Sequence, residues 1–208
     1  MKVVVNIVLI LAAAFLLYFL GKSIQDTGQV EPQGRLPVSF PARTGQCPLS
    51  YRRFATGRPA ELPDNSVWWS HYEDAPNEAL YPFGYGLGYT EWTFGAPSLA
   101  PGDRERGVFV CVSCTVTNAG NRAGSTVVQL YVNDPVATRA RPMRELRAWQ
   151  RVDLAPGESR SVKFEVTETT LQYWTPEEDW HVEPGAYHLM TGPHSADLKA
   201  VTWVMERA

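Results

Sequence analysis

The chain has 208 residues, of which 44% are apolar, 12% aromatic and 20% charged, so it can bury a core as one domain with an additional segment. Its formal net charge of −3 and the lack of a basic face give no support for a nucleic-acid partner. Sixteen Gly and sixteen Pro favour turns over long helices, and three Cys are too few for a disulfide framework, so stability must come from packing.

The first predicted element is an apolar helix at the N-terminus, assigned to residues 1–24. Residues 3–20 are apolar apart from Asn6 and the amphipathic Tyr18. As a helix this stretch reaches about 27 Å, just short of a bilayer core of about 30 Å. A membrane anchor, a secretory signal peptide and a buried helix all fit, and the lack of a clear cleavage site favours the anchor. We expect an extracytoplasmic protein, either periplasmic or secreted.

Residues 25–95 are predicted to be irregular but ordered. Pro, Gly and Gln are frequent up to residue 63, and only residues 36–40 indicate a short strand. Residues 80–90 carry many aromatic rings, which predicts a connection that packs onto a surface, because disordered linkers have few large apolar groups. Gly84, Gly86 and Gly88 alternate within it, but the strand–helix context and the Lys-Ser/Thr pair of a phosphate loop are absent.

Residues 96–208 show the period-two alternation of β-strands. From Val108 onward, apolar side chains share one face and mostly polar ones the other, and the same alternation returns near Val128, Val162, Tyr187 and in residues 198–205. Turns are predicted at residues 118–121 and 155–158 and at Pro184. Short strands separated by such turns, with no helical pattern between them, predict a mainly β protein with a sandwich of about seven strands.

No metal or cofactor site is predicted. Cys111 and Cys114 look like a metal or redox pair, but residues three apart on a strand point to opposite faces. Cys114 is therefore expected in the core and Cys111 on the other face. The four histidines lack ligand spacing, although His181 and His188 are expected on adjacent strands across the turn at Pro184.

Several motifs in sequence order are similar to those of one family. They are residues 34–41 (GRLPVSFP), 45–49 (GQCPL), 56–59 (TGRP), 80–90 (LYPFGYGLGYT), 116–124 (VTNAGNRAG), 128–132 (VQLYV), 141–149 (RPMRELRAW) and 154–159 (LAPGES). From about Gly28 to Glu206 the chain resembles the C-terminal part of glycoside hydrolase family three, the bacterial β-glucosidase and β-xylosidase group. It departs from the family at Cys47, Gly88 and Trp149, where an aliphatic residue, Ser and Phe are usual.

The resemblance implies an immunoglobulin-like or fibronectin type III-like domain over residues 96–208. Residues 25–95 would be the end of an α/β sandwich domain and the junction to the last domain. It also implies an upstream barrel with the catalytic aspartate and an α/β domain that often supplies the acid/base, and neither motif occurs in this sequence. We therefore expect a structural domain that supports O-glycosyl hydrolysis by catalytic domains absent from this chain, in cis or in trans, and expect the chain alone to be inactive.

One group of side chains suggests sugar contact. Hydrolysis of a glycosidic bond usually needs two carboxylates about 5–10 Å apart. The three acidic residues 177–179 are more simply interpreted as a solvated turn. Glu73 and Asp74 lie instead among aromatic rings, as carboxylates do in many sugar-binding sites. The candidate sugar contacts are Trp68, Trp69, Tyr72, Glu73 and Asp74. A capped turn or a surface pair is the simpler explanation of the two carboxylates, so no catalytic residue is assigned.

Two further hypotheses stand beside the structural one. The chain could be a membrane-anchored carbohydrate-binding or adhesion module, with residues 3–20 as the anchor and exposed aromatic rings stacking on an oligosaccharide. It could also be an autonomous hydrolase using Glu73 or Asp74. The last is disfavoured because the edge of a sandwich offers neither a second placed carboxylate nor an enclosing pocket.

Overall fold

The computed structural model describes residues 31–55, 72, 75–175, 177 and 179–206. The described strands are β1 (Trp92–Phe94), β2 (Ser98–Pro101), β3 (Val108–Asn118), β4 (Gly124–Asn133), β5 (Glu145–Leu154), β6 (Ser159–Thr167), β7 (Tyr173–Trp174), β8 (Trp180–His181), β9 (Gly185–His194) and β10 (Asp197–Met205). One short helix, α1 (Glu168–Leu171), follows β6, and 3-10 turns lie at Thr44–Gln46 and Arg104–Arg106.

The predicted N-terminal helix over residues 1–24 lies outside the described residues. Within the described part of the chain, none of the helices has the length and apolar character needed to cross a bilayer.

The strands form two antiparallel four-stranded sheets and a small hairpin. In the first sheet β6 pairs with β3 along most of its length, so β1 and β2, which also pair with β3, occupy the opposite edge as one interrupted strand. The second sheet has the order β10-β9-β4-β5, and β7 pairs with β8 in the hairpin. If β1 and β2 are counted as one interrupted strand, the two sheets have three and four strands. This confirms the predicted sandwich of about seven strands.

The core lies between the two sheets and is built from the alternating apolar positions. Its buried members are Val110, Val112, Cys114, Val116, Val128, Leu130, Val132, Val152, Val162, Phe164, Val166, Leu171, Tyr187 and Leu189. Full burial of one aliphatic side chain is worth about 1.5–3 kcal/mol, so this cluster dominates the stability of the domain. Cys114 lies in the core as predicted, and Cys111 on the other face of β3 is buried as well.

The predicted alternation on β3 is present from Val108 onward, with one irregularity in its pairing at the start of the strand. The register with β6 shifts between Val108 and Val110, which is a β-bulge. Phe109 therefore packs against the core and stacks near Trp203, while Val108 is buried outside the core cluster.

One strand was not predicted from the sequence, and two local expectations need correction. The sequence pattern does not indicate β5, because its middle positions are polar or exposed and only Val152 and Leu154 are buried at its end. His181 and His188 are not on adjacent strands, since His181 pairs with Tyr173 in the hairpin whereas His188 pairs with Thr202 on β10. Residues 36–40 form no strand, and only an isolated bridge joins Phe40 to Tyr81.

Candidate functional site: the aromatic segment on the outer face of the second sheet

Strand β4 is buried on both of its faces. Val128 and Leu130 point into the core, as expected for one face of a sandwich strand. Gln129 and Tyr131 point the other way, where an antiparallel sheet usually meets solvent, yet they are only 3% and 0% exposed. Residues 31–55 and residues 80–91 cover this face of the strand. We call residues 80–91 the aromatic segment.

Stacked aromatic rings hold the aromatic segment to the sheet. The ring of Phe83 lies parallel to that of Tyr51, with a centroid distance of 4.0 Å and an interplanar angle of 12°. Tyr51 in turn meets the ring of Tyr131 edge-on, at 6.1 Å. Burial raises the pKa of the Tyr131 hydroxyl, which donates to Oε1 of Gln129 at 2.5 Å. The prediction that this segment packs its rings onto a surface is confirmed.

The alternating glycines admit two long polar side chains and a neighbouring backbone carbonyl. Gly84 has a φ of +81°, and a Cβ there would lie 2.8 Å from Nε2 of Gln129. A Cβ on Gly86 would lie 2.6 Å from the carbonyl oxygen of Gly34, and one on Gly88 would lie 2.7 Å from Oε1 of Glu31. Close approach of these groups to the segment backbone explains the glycines physically.

Hydrogen bonds complete the attachment on both sides of the segment. Residues 36–40 and 81–85 exchange backbone bonds, among them those from the Leu36 amide to the Tyr85 carbonyl and from the Gly84 amide to the Leu36 carbonyl, each 2.8 Å. On the sheet side, Nε2 of Gln129 donates to the Gly84 carbonyl at 3.1 Å and to the Pro193 carbonyl at 2.6 Å. The aromatic segment is therefore fixed both to the chain before it and to the second sheet.

A buried ionic cluster ties residues 31–55 to the end of the sandwich. The Arg141 side chain, 4% exposed, pairs with Glu145 at 2.7 Å and with Asp134 at 3.6 Å. Arg52 and Arg147 also pair with Glu145. Burial alone would raise the pKa of Glu145, but the hydrogen bond from Arg141, together with Arg147 and Arg52, holds it below its usual value.

The same cluster supports the β7–β8 hairpin. The guanidinium of Arg141 lies 4.9 Å from the ring centroid of Tyr173, and the Tyr173 hydroxyl donates to Glu183 at 2.6 Å. Burial raises the pKa of Asp134, partly offset by Arg141. The cluster thus links three parts of the fold that are distant in sequence. The sequence analysis did not single out its members, although Arg141 and Glu145 stand four residues apart in one of the quoted motifs.

Several large apolar side chains are exposed among residues 31–55, 72 and 75–91. Large side chains that are about half exposed or more in this part of the chain are Val38, Phe54, Leu80 and Leu87, with Tyr72 and Tyr81 slightly less exposed. Clustered exposed apolar side chains are typical of interaction surfaces, whereas isolated ones are ordinary. The aromatic segment therefore has one side fixed to the sandwich and the other available for contact.

Of the five predicted sugar contacts, Tyr72 alone lies within the described residues. Tyr72 is exposed, and its backbone amide donates to Oδ1 of Asn77 at 3.3 Å. Trp68, Trp69, Glu73 and Asp74 lie outside the described residues. Among the residues that the structure does describe, no cluster of three His, Cys, Asp or Glu side chains could hold a metal ion.

Comparisons with known proteins match this architecture. Residues 126–195 match the model of the fibronectin type III-like domain. The chain is 38% identical over 181 residues to a periplasmic β-glucosidase of Salmonella typhimurium, an alignment that covers 86% of this chain and 24% of that protein. It is 32% identical to a putative β-xylosidase of Formosa agariphila, covering 86% of this chain and 22% of that one.

Solved structures give the same result. A β-glucosidase from Listeria innocua in complex with isofagomine superposes with a TM-score of 0.76 at 36% identity, covering 85% of this chain and 25% of that chain. The chain therefore spans about a quarter of the length of the relatives it matches.

Proposed function

This chain corresponds to the C-terminal part of a glycoside hydrolase family three protein, and on that premise we propose that it braces the catalytic domains of a β-glucosidase-like enzyme. Its own role is structural, and hydrolysis of O-glycosidic bonds is performed by domains outside these 208 residues, in the same polypeptide or a separate one. The observation that carries this proposal is the aromatic segment, which is fixed to the sandwich on one side and apolar on the other.

We propose the domain division that the sequence suggests. Residues 1–24 form an apolar N-terminal segment, residues 25–95 belong to the end of the α/β sandwich domain and the junction, and residues 96–208 form the fibronectin type III-like domain. The contacts of residues 31–55 and 80–91 with β4 support a junction that is part of the folded body and is not a free linker. The periplasmic relative supports an extracytoplasmic location.

Two observations favour the brace over a membrane-anchored carbohydrate-binding or adhesion module. The alignments to β-glucosidases run through 86% of the chain, including the aromatic segment. A binding module would have no use for a junction that is tied so closely to the preceding residues. An ordered interface between the aromatic segment and β4 is expected if that interface positions a further domain.

A rescue experiment tests the brace. The Listeria innocua β-glucosidase would be shortened so that it ends before the region that this chain matches, and hydrolysis of an aryl β-glucoside would be measured with and without the purified chain. We expect saturable recovery of activity, because the chain restores the missing support of the catalytic domains. Neither rescue nor binding in this assay would contradict the proposal.

A further inference from the structure

The β7–β8 hairpin presents two tryptophans to solvent. Trp174 and Trp180 stand directly opposite each other across the two strands and are 55% and 52% exposed. Their ring centroids are 5.4 Å apart with an interplanar angle of 73°. About half of each indole is therefore accessible to a ligand, with the two rings in edge-on contact, and the core cluster includes neither residue.

The opposite face of the hairpin is anchored. Tyr173 and His181 form the other cross-strand pair, and Tyr173 is held by Arg141 and by its hydrogen bond to Glu183. The turn is closed by the Thr175 amide, which donates to the Asp179 carbonyl at 2.9 Å. The indoles are consequently held in place before any ligand arrives, which lowers the entropic cost of binding.

The size and chemistry of this patch select its ligand. Two half-exposed indoles offer on the order of 250 Å², well below the roughly 800 Å² per partner of a stable protein interface. Glu177 and Asp179 lie exposed in the same turn, which disfavours an anionic membrane surface. Carboxylates accept hydrogen bonds, so they suit an uncharged ligand that is rich in hydroxyl donors. The ring C–H groups of such a ligand can pack on the negative face of an exposed indole.

We propose that the Trp174–Trp180 face of the β7–β8 hairpin binds a pyranose ring of a β-linked oligosaccharide, as an accessory contact outside the catalytic domains. The choice of sugar rests on the proposed function, because the aligned relatives are β-glucosidases and a putative β-xylosidase. The indoles supply the stacking surface, and the side chain of Glu177 accepts hydrogen bonds from ring hydroxyls.

The competing explanation is that the pair only stabilises its own hairpin, since cross-strand aromatic pairs contribute roughly 0.2–1 kcal/mol. A titration of the full chain with cellotetraose, followed through the indole Nε1–H signals in two-dimensional NMR spectra, separates the two. We expect saturable shifts confined to Trp174 and Trp180. An absence of shifts, or shifts elsewhere, would overturn the sugar site. Equal shifts with tetramethylammonium would also overturn it, because they would assign the pair to cations.

Variants extend the same titration. Trp180→Ala is expected to weaken binding at least tenfold, which is about 1.4 kcal/mol, while Trp149→Ala, an equally exposed tryptophan on β5, should leave affinity unchanged. Glu177→Gln keeps the aromatic pair and should still weaken binding severalfold. Equal losses in Trp149→Ala would refute the proposal. No catalytic domain takes part in this assay, so a negative result here leaves the bracing role untouched.

Discussion

At the scale of single residues, the packing on the outer face of β4 depends on glycines that leave room for neighbouring groups and on polar side chains that are buried. Gly84 is the clearest case, because it combines a left-handed backbone with the close approach of the Gln129 amide. The sequence shows the glycine series but not its purpose. Gln129 looks like an ordinary solvent-facing residue in an alternating strand, and only the fold reveals that another segment covers it.

A pair of glycine variants separates backbone strain from crowding. Gly157 has a φ of +74° and nothing within 4 Å of an added Cβ, so Gly157→Ala should cost only the left-handed penalty of about 1–2 kcal/mol. Gly84→Ala should lower the free energy of unfolding by clearly more than that, since Gln129 must also move. Urea unfolding of both variants measures the difference, and equal losses would contradict a close-packed aromatic segment.

The buried ionic cluster gives a second prediction at this scale. Glu145→Gln removes the closer of the two carboxylates that pair with the nearly inaccessible Arg141 and leaves Asp134, at 3.6 Å. Breaking a buried pair typically costs about 3–5 kcal/mol, and the remaining Asp134 carboxylate should keep the loss toward the lower end of that range. Glu165→Gln is the matched control, because the Arg106–Glu165 pair is exposed on both sides and should contribute less than about 1 kcal/mol. Chemical unfolding compares them. Similar small losses would mean that the cluster contributes little to stability.

At the scale of elements, the alternation of apolar and polar residues predicts the strands that have one face packed in the core. Strands β3, β6 and β9 carry clean alternation, and β10 is predicted as a β-type run. The pattern is silent for β5, where Arg147, Trp149 and Arg151 occupy the middle of the strand. It is also silent on the β7–β8 hairpin, because two-residue strands show no periodicity. The contacts of Trp68, Trp69, Glu73 and Asp74 remain predictions.

The attachment of the aromatic segment to the end of β9 should depend on pH through His194. Burial lowers the pKa of His194 below 6.5, with Asp197 opposing this effect and Arg35 adding to it, and the ring lies 5.5 Å from that of Tyr85. The unfolded chain therefore binds a proton more readily, so this contribution to stability is present above about pH 6.5 and is lost as the pH falls.

Unfolding measurements at about pH 7.5 and about pH 5.5 detect this effect. Carboxylates elsewhere also titrate toward the acid end, so the relevant quantity is the difference from His194→Asn. This variant keeps an acceptor near the Ala196 amide, which now donates to Nδ1 of His194 at 3.3 Å. We expect the variant to lose less stability between the two values. An unchanged pH dependence would show that protonation of His194 is not resisted by the fold.

At the scale of the whole molecule, residues 31–55 and 80–91 are joined to the sandwich by ring stacking, hydrogen bonds and ion pairs. Residues 31–55, the ionic cluster and the hairpin are connected through Arg52, Glu145, Arg141 and Tyr173. The aromatic segment joins them where Phe83 stacks on Tyr51. A domain that contacts the apolar side of the aromatic segment is therefore supported by a rigid β-sandwich and not by a flexible tail. Such a body is suited to hold neighbouring domains in place, which is the central claim for its function.

The affinity of the chain for the shortened Listeria innocua enzyme tests that claim most directly. Leu80→Asp places a charge on the apolar side of the aromatic segment, and Val204→Asp places the same charge at a similarly exposed position on β10. We predict that Leu80→Asp weakens binding at least tenfold, or by about 1.4 kcal/mol, and that Val204→Asp binds like the unmodified chain. Unchanged binding of Leu80→Asp, or equal weakening by both variants, would contradict the account.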